Sequence, residues 1–254
     1  MSVRRSSLTF VARSTAAPTA ARHAKPTLPS DRGTSRSSCT SAPGNAWVNG
    51  LMMTDRSYHC AVRLILASAS PRRAELLRAA GYEFEIVATD VDERVRDGET
   101  PAEYVRRLAA EKSAAAQGAD VIILGADTTV VVDGEILGKP RDDDEAAAML
   151  RRLAGRRHEV LTGVSIRHGA HEAGRVVSTA VWFSMLTKED IAWYVASREG
   201  RDKAGAYAIQ GLASRFIPRI EGSYANVVGL PVAAVAELLR SVLASDPETG
   251  YSDN

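Results

Sequence analysis

From Arg63 onward, short apolar runs alternate with longer amphipathic segments, and this alternation limits the fold more than any other feature of the chain. Apolar runs of roughly four to eight residues suit strands and longer segments with a 3.6-residue period suit helices, so the alternation predicts an α/β domain. "RLILAS" (Arg63–Ser68) reads as a strand. Pro71 follows where a first helical residue belongs, because its fixed φ suits that position and its missing N–H costs nothing there. The helix "PRRAELLRAAG" then ends at Gly81. "EFEIV" (Glu83–Val87) reads as a second strand, and Thr100–Gly118 as a helix with a Thr100/Glu103 capping box, Pro101 in its first turn and Gly118 closing it. "DVIILGAD" (Asp120–Asp127) is continuously apolar, as a strand covered on both faces would be, and "TTVVVDGEILG" reads as a hairpin turning at Asp133-Gly134. A helix over Asp142–Gly155 carries acids at its start and arginines at its end, matching the helix dipole. "HEVLTGVSIRH" (His158–His168) and "VVSTAVWFSML" (Val176–Leu186) flank a Gly-rich turn and predict an antiparallel ribbon, which makes the sheet mixed. A helix over Thr187–Ser197, a polar segment Arg198–Gly211, a strand near Ser214–Gly222 and a final helix from about Pro231 complete the pattern.

The first fifty residues are different in kind: rich in Ser, Thr, Arg, Ala and Pro, with Asp31 as the sole acid. Such a segment buries too little apolar surface to offset its ordering entropy, so 1–60 is expected to be a disordered extension, 61–245 the folded domain and 246–254 a tail. The same composition matches an organellar transit peptide, or an upstream extension of a protein that begins at Met52 or Met53. A net charge of +1 argues against blanketing nucleic acid or an anionic membrane, so any basic site must be local. Cys39 and Cys60 are the only cysteines, which leaves neither a disulfide framework nor a thiolate metal site. With no stretch near the ~20 apolar residues of a membrane span, the expectation is a cytoplasmic protein, or an organellar one if the extension is a transit peptide.

Charge and hydroxyls concentrate at "LASASPRR" (Leu66–Arg73). A helix N-terminus presents unsatisfied N–H groups and the positive end of the dipole, and arginine adds bidentate bonds to phosphoryl oxygens. Ser68, Ser70, Arg72 and Arg73 therefore form a candidate polyphosphate clamp, against the alternative that both arginines merely decorate an exposed first turn. Lys112 falls on one stripe with Val105, Leu108 and Ala109, which places its ammonium beside the core or lets it snorkel to solvent. Lys139 in "LGKP" is a further cation. "GEILGKP" is not a Walker loop, because three residues separate its glycines and Pro140 replaces the magnesium-binding hydroxyl. Asp127, at the end of its apolar strand, can hold a divalent ion, orient a water or cap a turn with Thr128 and Thr129. Glu93 in "TDVDE" either shares that metal or is simply solvated. His168 and His171 read as exposed ribbon turn rather than metal site, and Ser223 lacks nucleophile-elbow spacing.

Taken in order, "LASASPRRAELL", "TDVDE", "RLAAEKS", "GADTTVVVDGEILGKP", "TGV", "DKAGAYAIQG" and "IEGSYANVVGLP" resemble the Maf family of nucleoside triphosphate pyrophosphatases, over about Leu64–Leu243. The resemblance implies an α/β mixed sheet flanked by helices, related to that of inosine triphosphate pyrophosphatases. It also implies cleavage of the α–β phosphoanhydride of a nucleoside triphosphate with a divalent cation, for which the carboxylates Asp127 and Glu93 are the candidate ligands of Mg²⁺ or Mn²⁺. Asp127 matches the family's proposed acid/base; Arg73, Thr128 and Gln210 match positions associated with base selectivity; Ser68, Arg72, Glu93, Lys112 and Lys139 match other site positions. "AYAIQG" resembles the branch that cleaves dTTP and UTP rather than 7-methyl-GTP. A modified pyrimidine nucleotide as substrate, a nucleotide-binding regulator of septum formation, and homodimerisation stay open.

Overall fold

The computed structural model describes residues 46–48, 51–53, 63–118 and 120–244. The expectations for the extension and the tail lie almost wholly outside the described residues; within the extension, β1 (Ala46–Val48) and β2 (Leu51–Met53) pair antiparallel in a sheet of their own.

The other elements build the expected mixed sheet flanked by helices. In chain order they are β3 (Arg63–Ala67), α1 (Pro71–Ala79), β4 (Glu85–Ile86), α2 (Pro101–Ala115), β5 (Val121–Val132), β6 (Glu135–Leu137), α3 (Asp143–Leu153), β7 (Arg157–His168), β8 (His171–Trp182), α4 (Lys188–Ala196), β9 (Arg219–Glu221), α5 (Tyr224–Val228) and α6 (Val232–Ala244). Strand order is β4-β3-β5-β7-β8-β9, with β6 added to β5. The pairings β4–β3 and β3–β5 are parallel and all others antiparallel.

Local chemistry fixes most element ends. Thr100 Oγ1 accepts from the Glu103 N–H at 3.3 Å while Glu103 Oε2 accepts from the Thr100 N–H at 2.9 Å, closing the capping box. Asp133 and Gly134 both adopt positive φ, 54° and 79°, as the tightest hairpin turn requires. Four strands differ from their sequence reading. β9 is only Arg219–Glu221, because Leu212–Phe216 turns as a 3-10 helix instead. β4 is cut to two residues. β5 does not end at Asp127 but runs on to Val132, because β7 pairs with it along almost its whole length. β8 begins at His171, five residues earlier than its apolar run, and a two-residue turn replaces the Gly-rich loop, so His168 and His171 face each other as the last pair of the ribbon. Ser223 caps α5, a helix the sequence reading missed, by accepting from the Asn226 N–H at 3.2 Å.

Three packed clusters set the architecture. On one face α2 covers the sheet, with Val105 against Val131 and Leu161. The approach is close because Gly125 and Gly163 lie beneath it; a Cβ at either would overlap the carbonyl oxygen of Ala109 or Val105. On the other face Leu77 of α1 and Leu238 of α6 pack on Leu66, Leu124 and Ile166. Beyond them α3, α4 and Tyr207 close over Val130, Val132 and Val160. The sheet edge between these last two clusters is open: β3 pairs with β5 only as far as Gly125 and β6 only from Val130. Residues 126–129 thus lose their neighbour on one side while β7 continues on the other.

Candidate active site

A cleft of about 570 Å³ opens at this break in the edge, within the usual range for small-molecule pockets. It lies where the parallel strand β3 ends and its chain turns into α1, the position at which open α/β sheets bind ligands. Alternation along β5 sends Asp127 to the α2 side and Thr128 to the opposite side, and both line the cleft.

Asp127 meets α2 at Lys112, whose Nζ donates to Asp127 Oδ1 at 2.7 Å and to Glu93 Oε1 at 2.6 Å. Lys112 and Asp127 are both buried. An ammonium in that position needs charged partners, since desolvation without them costs several kcal/mol. Glu93 sits on the irregular segment between β4 and α2 and is half-exposed. Burial pushes its carboxyl up, but the hydrogen bond and charge of Lys112, with Lys139 and Arg73 behind it, hold it below its ordinary value.

Arg73 is buried and engages protein through all three of its nitrogens: Nε donates to Gly229 O at 2.9 Å, Nη1 to Ser68 Oγ at 2.9 Å and Nη2 to Thr128 Oγ1 at 3.2 Å. It ties α1, β5 and the α5–α6 link together. Burial lowers its guanidinium from its usual value, and Asp127 partly offsets this. The α1 N-terminus itself is uncapped: Ser70 makes no side-chain cap bond and no acid stands in the first turn. Its N–H groups remain available for an anion. Arg72 donates to Asp202 Oδ2 at 2.9 Å, and Lys203 to Asp202 Oδ1 at 2.6 Å. Burial alone would raise the Asp202 carboxyl; its bonds from Lys203 and Arg72 outweigh that and bring it down to about 2. Asp202 is 65% exposed, so this pair is weak and exchangeable.

Arg72, Arg73, Lys112, Lys139 and Lys203 line the cleft against Glu93, Asp127 and Asp202, which leaves two positive charges unmatched. The far wall is built from Tyr207, Ala208 and Ile209, with Tyr207 anchored by its hydroxyl 2.9 Å from His158 Nε2. Gln210 is exposed on the cleft lining beside them, and Lys139 is exposed just after β6.

The Maf-like protein family matches residues 63–242, most of the chain and all of this site. The chain belongs to the Maf family. It is 53% identical over 184 residues to a protein of Anaeromyxobacter dehalogenans named dTTP/UTP pyrophosphatase, a match that spans 71% of this chain and 94% of the relative. Proteins of the same name from Syntrophus aciditrophicus and Vibrio cholerae are 49% identical over 184 residues and 48% over 181, spanning 71% and 70% of this chain and 90% and 97% of theirs.

The Maf domain brings the candidate site residues to one cleft: Ser68, Ser70, Arg72, Arg73, Glu93, Lys112, Asp127, Thr128, Lys139 and Gln210 all line it. Two of them differ from the simplest reading. Arg73 is a buried strut rather than an exposed first-turn cation, and Lys112 does not snorkel but turns inward. Among the described residues no cluster of three or more His, Cys, Asp or Glu side chains is placed to hold a metal alone. The pair Asp127 and Glu93 nonetheless suits a hard divalent ion, which takes one or two carboxylates and fills its shell with phosphate and water oxygens. Each engages Lys112 through one oxygen, and a carboxylate has about four lone-pair sites. Among the described residues no helix is long and apolar enough to cross a membrane. Sequence reasoning singled out none of Asp202, Lys203, Tyr104 and Tyr207 as site residues; Asp202, Lys203 and Tyr207 sit in the quoted motif "DKAGAYAIQG", which was the available signal.

Proposed function

We propose that this chain hydrolyses the α–β phosphoanhydride of nucleoside triphosphates, preferring dTTP and UTP, to a nucleoside monophosphate and pyrophosphate. The observation that carries the reading is the buried Lys112 between Asp127 and Glu93, in a cleft with surplus positive charge at an uncapped helix N-terminus. The names of relatives at about half identity support the same substrate class.

A triphosphate carries about four negative charges, and phosphoryl transfer is catalysed mainly by positioning and electrostatic stabilisation. The α1 N-terminus with Ser68, Ser70 and Arg72 receives phosphate oxygens, and Arg72 exchanges Asp202 for substrate. Lys139 and Lys203 neutralise the polyphosphate from the opposite lip. Asp127 accepts the proton of a water that attacks the α-phosphorus; the new P–O bond forms as the bond to the bridging oxygen breaks, and pyrophosphate leaves with that oxygen. Lys112 fixes the Asp127 carboxylate for this task. Bound at Asp127 and Glu93, Mg²⁺ or Mn²⁺ would supply Lewis-acid neutralisation of the phosphate oxygens. Gln210 reads the base, with Thr128 and Arg73 as further selectivity positions on the same cleft: its amide offers a donor and an acceptor to the O4 and N3–H of thymine or uracil.

The test is release of pyrophosphate by the purified full chain from dTTP, UTP, CTP and 7-methyl-GTP, with Mg²⁺, with Mn²⁺ and with EDTA. Metal-dependent turnover led by dTTP and UTP is expected. Tight nucleotide binding without turnover would leave a nucleotide-binding regulator, and a lead for 7-methyl-GTP would move the chain to the other branch.

A further inference from the structure

Glu93 lies on a segment, residues 87–100, that contains no helix or strand, yet its carboxylate must meet Lys112 in a defined place. Such a segment is ordinarily mobile unless its backbone groups are tied down. Here three successive carbonyls are held by two side chains of one helix. Arg107 Nη1 donates to Asp92 O at 3.4 Å, the Tyr104 hydroxyl to Glu93 O at 3.0 Å and Arg107 Nη2 to Arg94 O at 3.1 Å. Tyr104, Arg107 and Glu111 lie at i, i+3 and i+7, so they share one face of α2. The next residue, Lys112, takes the Glu93 carboxylate itself.

The holding group is itself fixed. Arg107 donates to both oxygens of Glu99, at 2.6 and 2.8 Å, and to Glu111 Oε2 at 3.2 Å. Glu99 in turn accepts from the Arg96 N–H at 3.0 Å, closing the segment on its far side. The Arg107 and Glu99 side chains are 12% and 8% exposed. A partly buried two-pronged pair of this kind has a fixed geometry, whereas the neighbouring Asp92–Arg94 contact is exposed and contributes little.

We propose that Arg107 and Tyr104 are positioning residues that, by holding the carbonyls of Asp92, Glu93 and Arg94, fix where the Glu93 carboxylate meets Lys112 and Asp127. This rests on the reading of Glu93 as a carboxylate of the pyrophosphatase site. Arg107 lies outside the cleft lining and Tyr104 is part of it; the role assigned to both is exerted through Glu93. The geometry needs the planar fork of arginine, since one guanidinium spans Glu99 and two carbonyls at once, and a lysine ammonium at that position cannot reach all of them.

The test is a double-mutant cycle on the full chain, with Arg107→Met and Glu93→Gln made singly and together. Arg107→Met should lower dTTP kcat/KM by about tenfold or more in the native background and by less than about twofold when Glu93 is already Gln. Equal losses in both backgrounds would make Arg107 a general structural residue and overturn the proposal. Arg107→Lys keeps the charge and should stay within about threefold of Arg107→Met; full activity with lysine would overturn the need for the fork. Amide hydrogen exchange on the nucleotide-free, metal-free protein gives a readout independent of turnover. The amides of Arg94 and Arg96, which donate to Asp92 Oδ1 and Glu99 Oε2, should exchange about tenfold faster in Arg107→Met while those of β5 and β7 are unchanged, and unchanged exchange at both would refute the holding role. If the native chain fails to cleave any nucleotide, the function reading fails while the exchange result still decides this one. Should Arg107→Met not fold, Tyr104→Phe removes a single hydroxyl and should speed exchange at the same two amides; no change there would refute the proposal equally.

Discussion

His158 offers a test of how the far wall of the cleft is held. The ring is buried, its Nε2 is bonded to Tyr207, and it meets Phe183 and Tyr207 edge-on with centroids 5.2 and 5.5 Å away. Its Nδ1 has no hydrogen-bond partner among the described residues, so protonation would place a charged N–H against apolar neighbours. Burial, reinforced by Arg157, therefore lowers the imidazole from 6.5 to about 4. As pH falls, the unfolded chain takes up this proton first, so the stability is whole above about 6.5 and is lost progressively down to about 4. Between pH 7 and pH 5 the difference amounts to about 2 kcal/mol, from the linkage relation with those two values. Urea unfolding of the native protein and of His158→Gln at both pH values isolates it, since the carboxylates titrate alike in the two proteins and cancel. The native protein should lose about 2 kcal/mol more than the variant on acidification. Parallel losses would show that His158 titrates normally and that the wall at Tyr207 is not held by a neutral ring.

Asp127→Asn is nearly isosteric and should keep the fold while lowering kcat by about a hundredfold or more, the ordinary worth of a general base; an unchanged kcat at saturating Mg²⁺ would return Asp127 to turn capping. Gly163→Ala places a methyl group against the Val105 carbonyl and should cost about 1–3 kcal/mol in urea unfolding. Because Gly163 pairs with Asp127, it should also lower turnover. Gln210→Ala should reduce dTTP and UTP kcat/KM more than that for CTP, which presents the opposite donor and acceptor pattern; equal losses across all three would remove Gln210 from base reading. Arg72→Ala and Lys139→Ala should weaken every nucleotide alike in a kcat/KM panel, and an altered ranking with undiminished rates would reassign them to the base.

What was legible in the sequence was whatever local chemistry decides. The Thr100/Glu103 box, Pro71 at the head of α1 and the Asp133-Gly134 turn each depend on a few neighbouring residues, and each stands where its residues predict. Strand lengths were less legible because partners set them. "HEAGR" (His171–Arg175) has no apolar run of its own, yet it pairs residue for residue with Val164–His168 and so becomes the start of β8. The end expected at Asp127 had a physical basis as well: the parallel neighbour stops two residues earlier, opposite Gly125, while β5 itself is carried on by β7 and β6. Reading a strand end from an apolar run located the functional break in the sheet edge and mistook which strand made it.

The site divides along the same line. Lys112 could be found because a lysine on the stripe of Val105, Leu108 and Ala109 departs from the helical period. Its pairing with Asp127 and Glu93 could not, since Asp127 is 15 residues away on the sheet and Glu93 is 19 residues away on a segment with no period at all. Replacing a buried ion pair by packed apolar groups is often neutral or stabilising, so stability alone gives little reason to keep Lys112 between two carboxylates. The arrangement makes more sense as a charge store. Without substrate, Lys112 satisfies Asp127 and Glu93, and Asp202 satisfies Arg72 and Lys203. On the proposed mechanism, a polyphosphate takes over the cations that the exposed Asp202 holds only weakly, while the buried Lys112–Asp127 pair stays in place to govern the water. The two pairs differ in burial, with Asp127 closed in and Asp202 open to solvent. That difference separates the part of the charge that substrate must displace from the part that must not move.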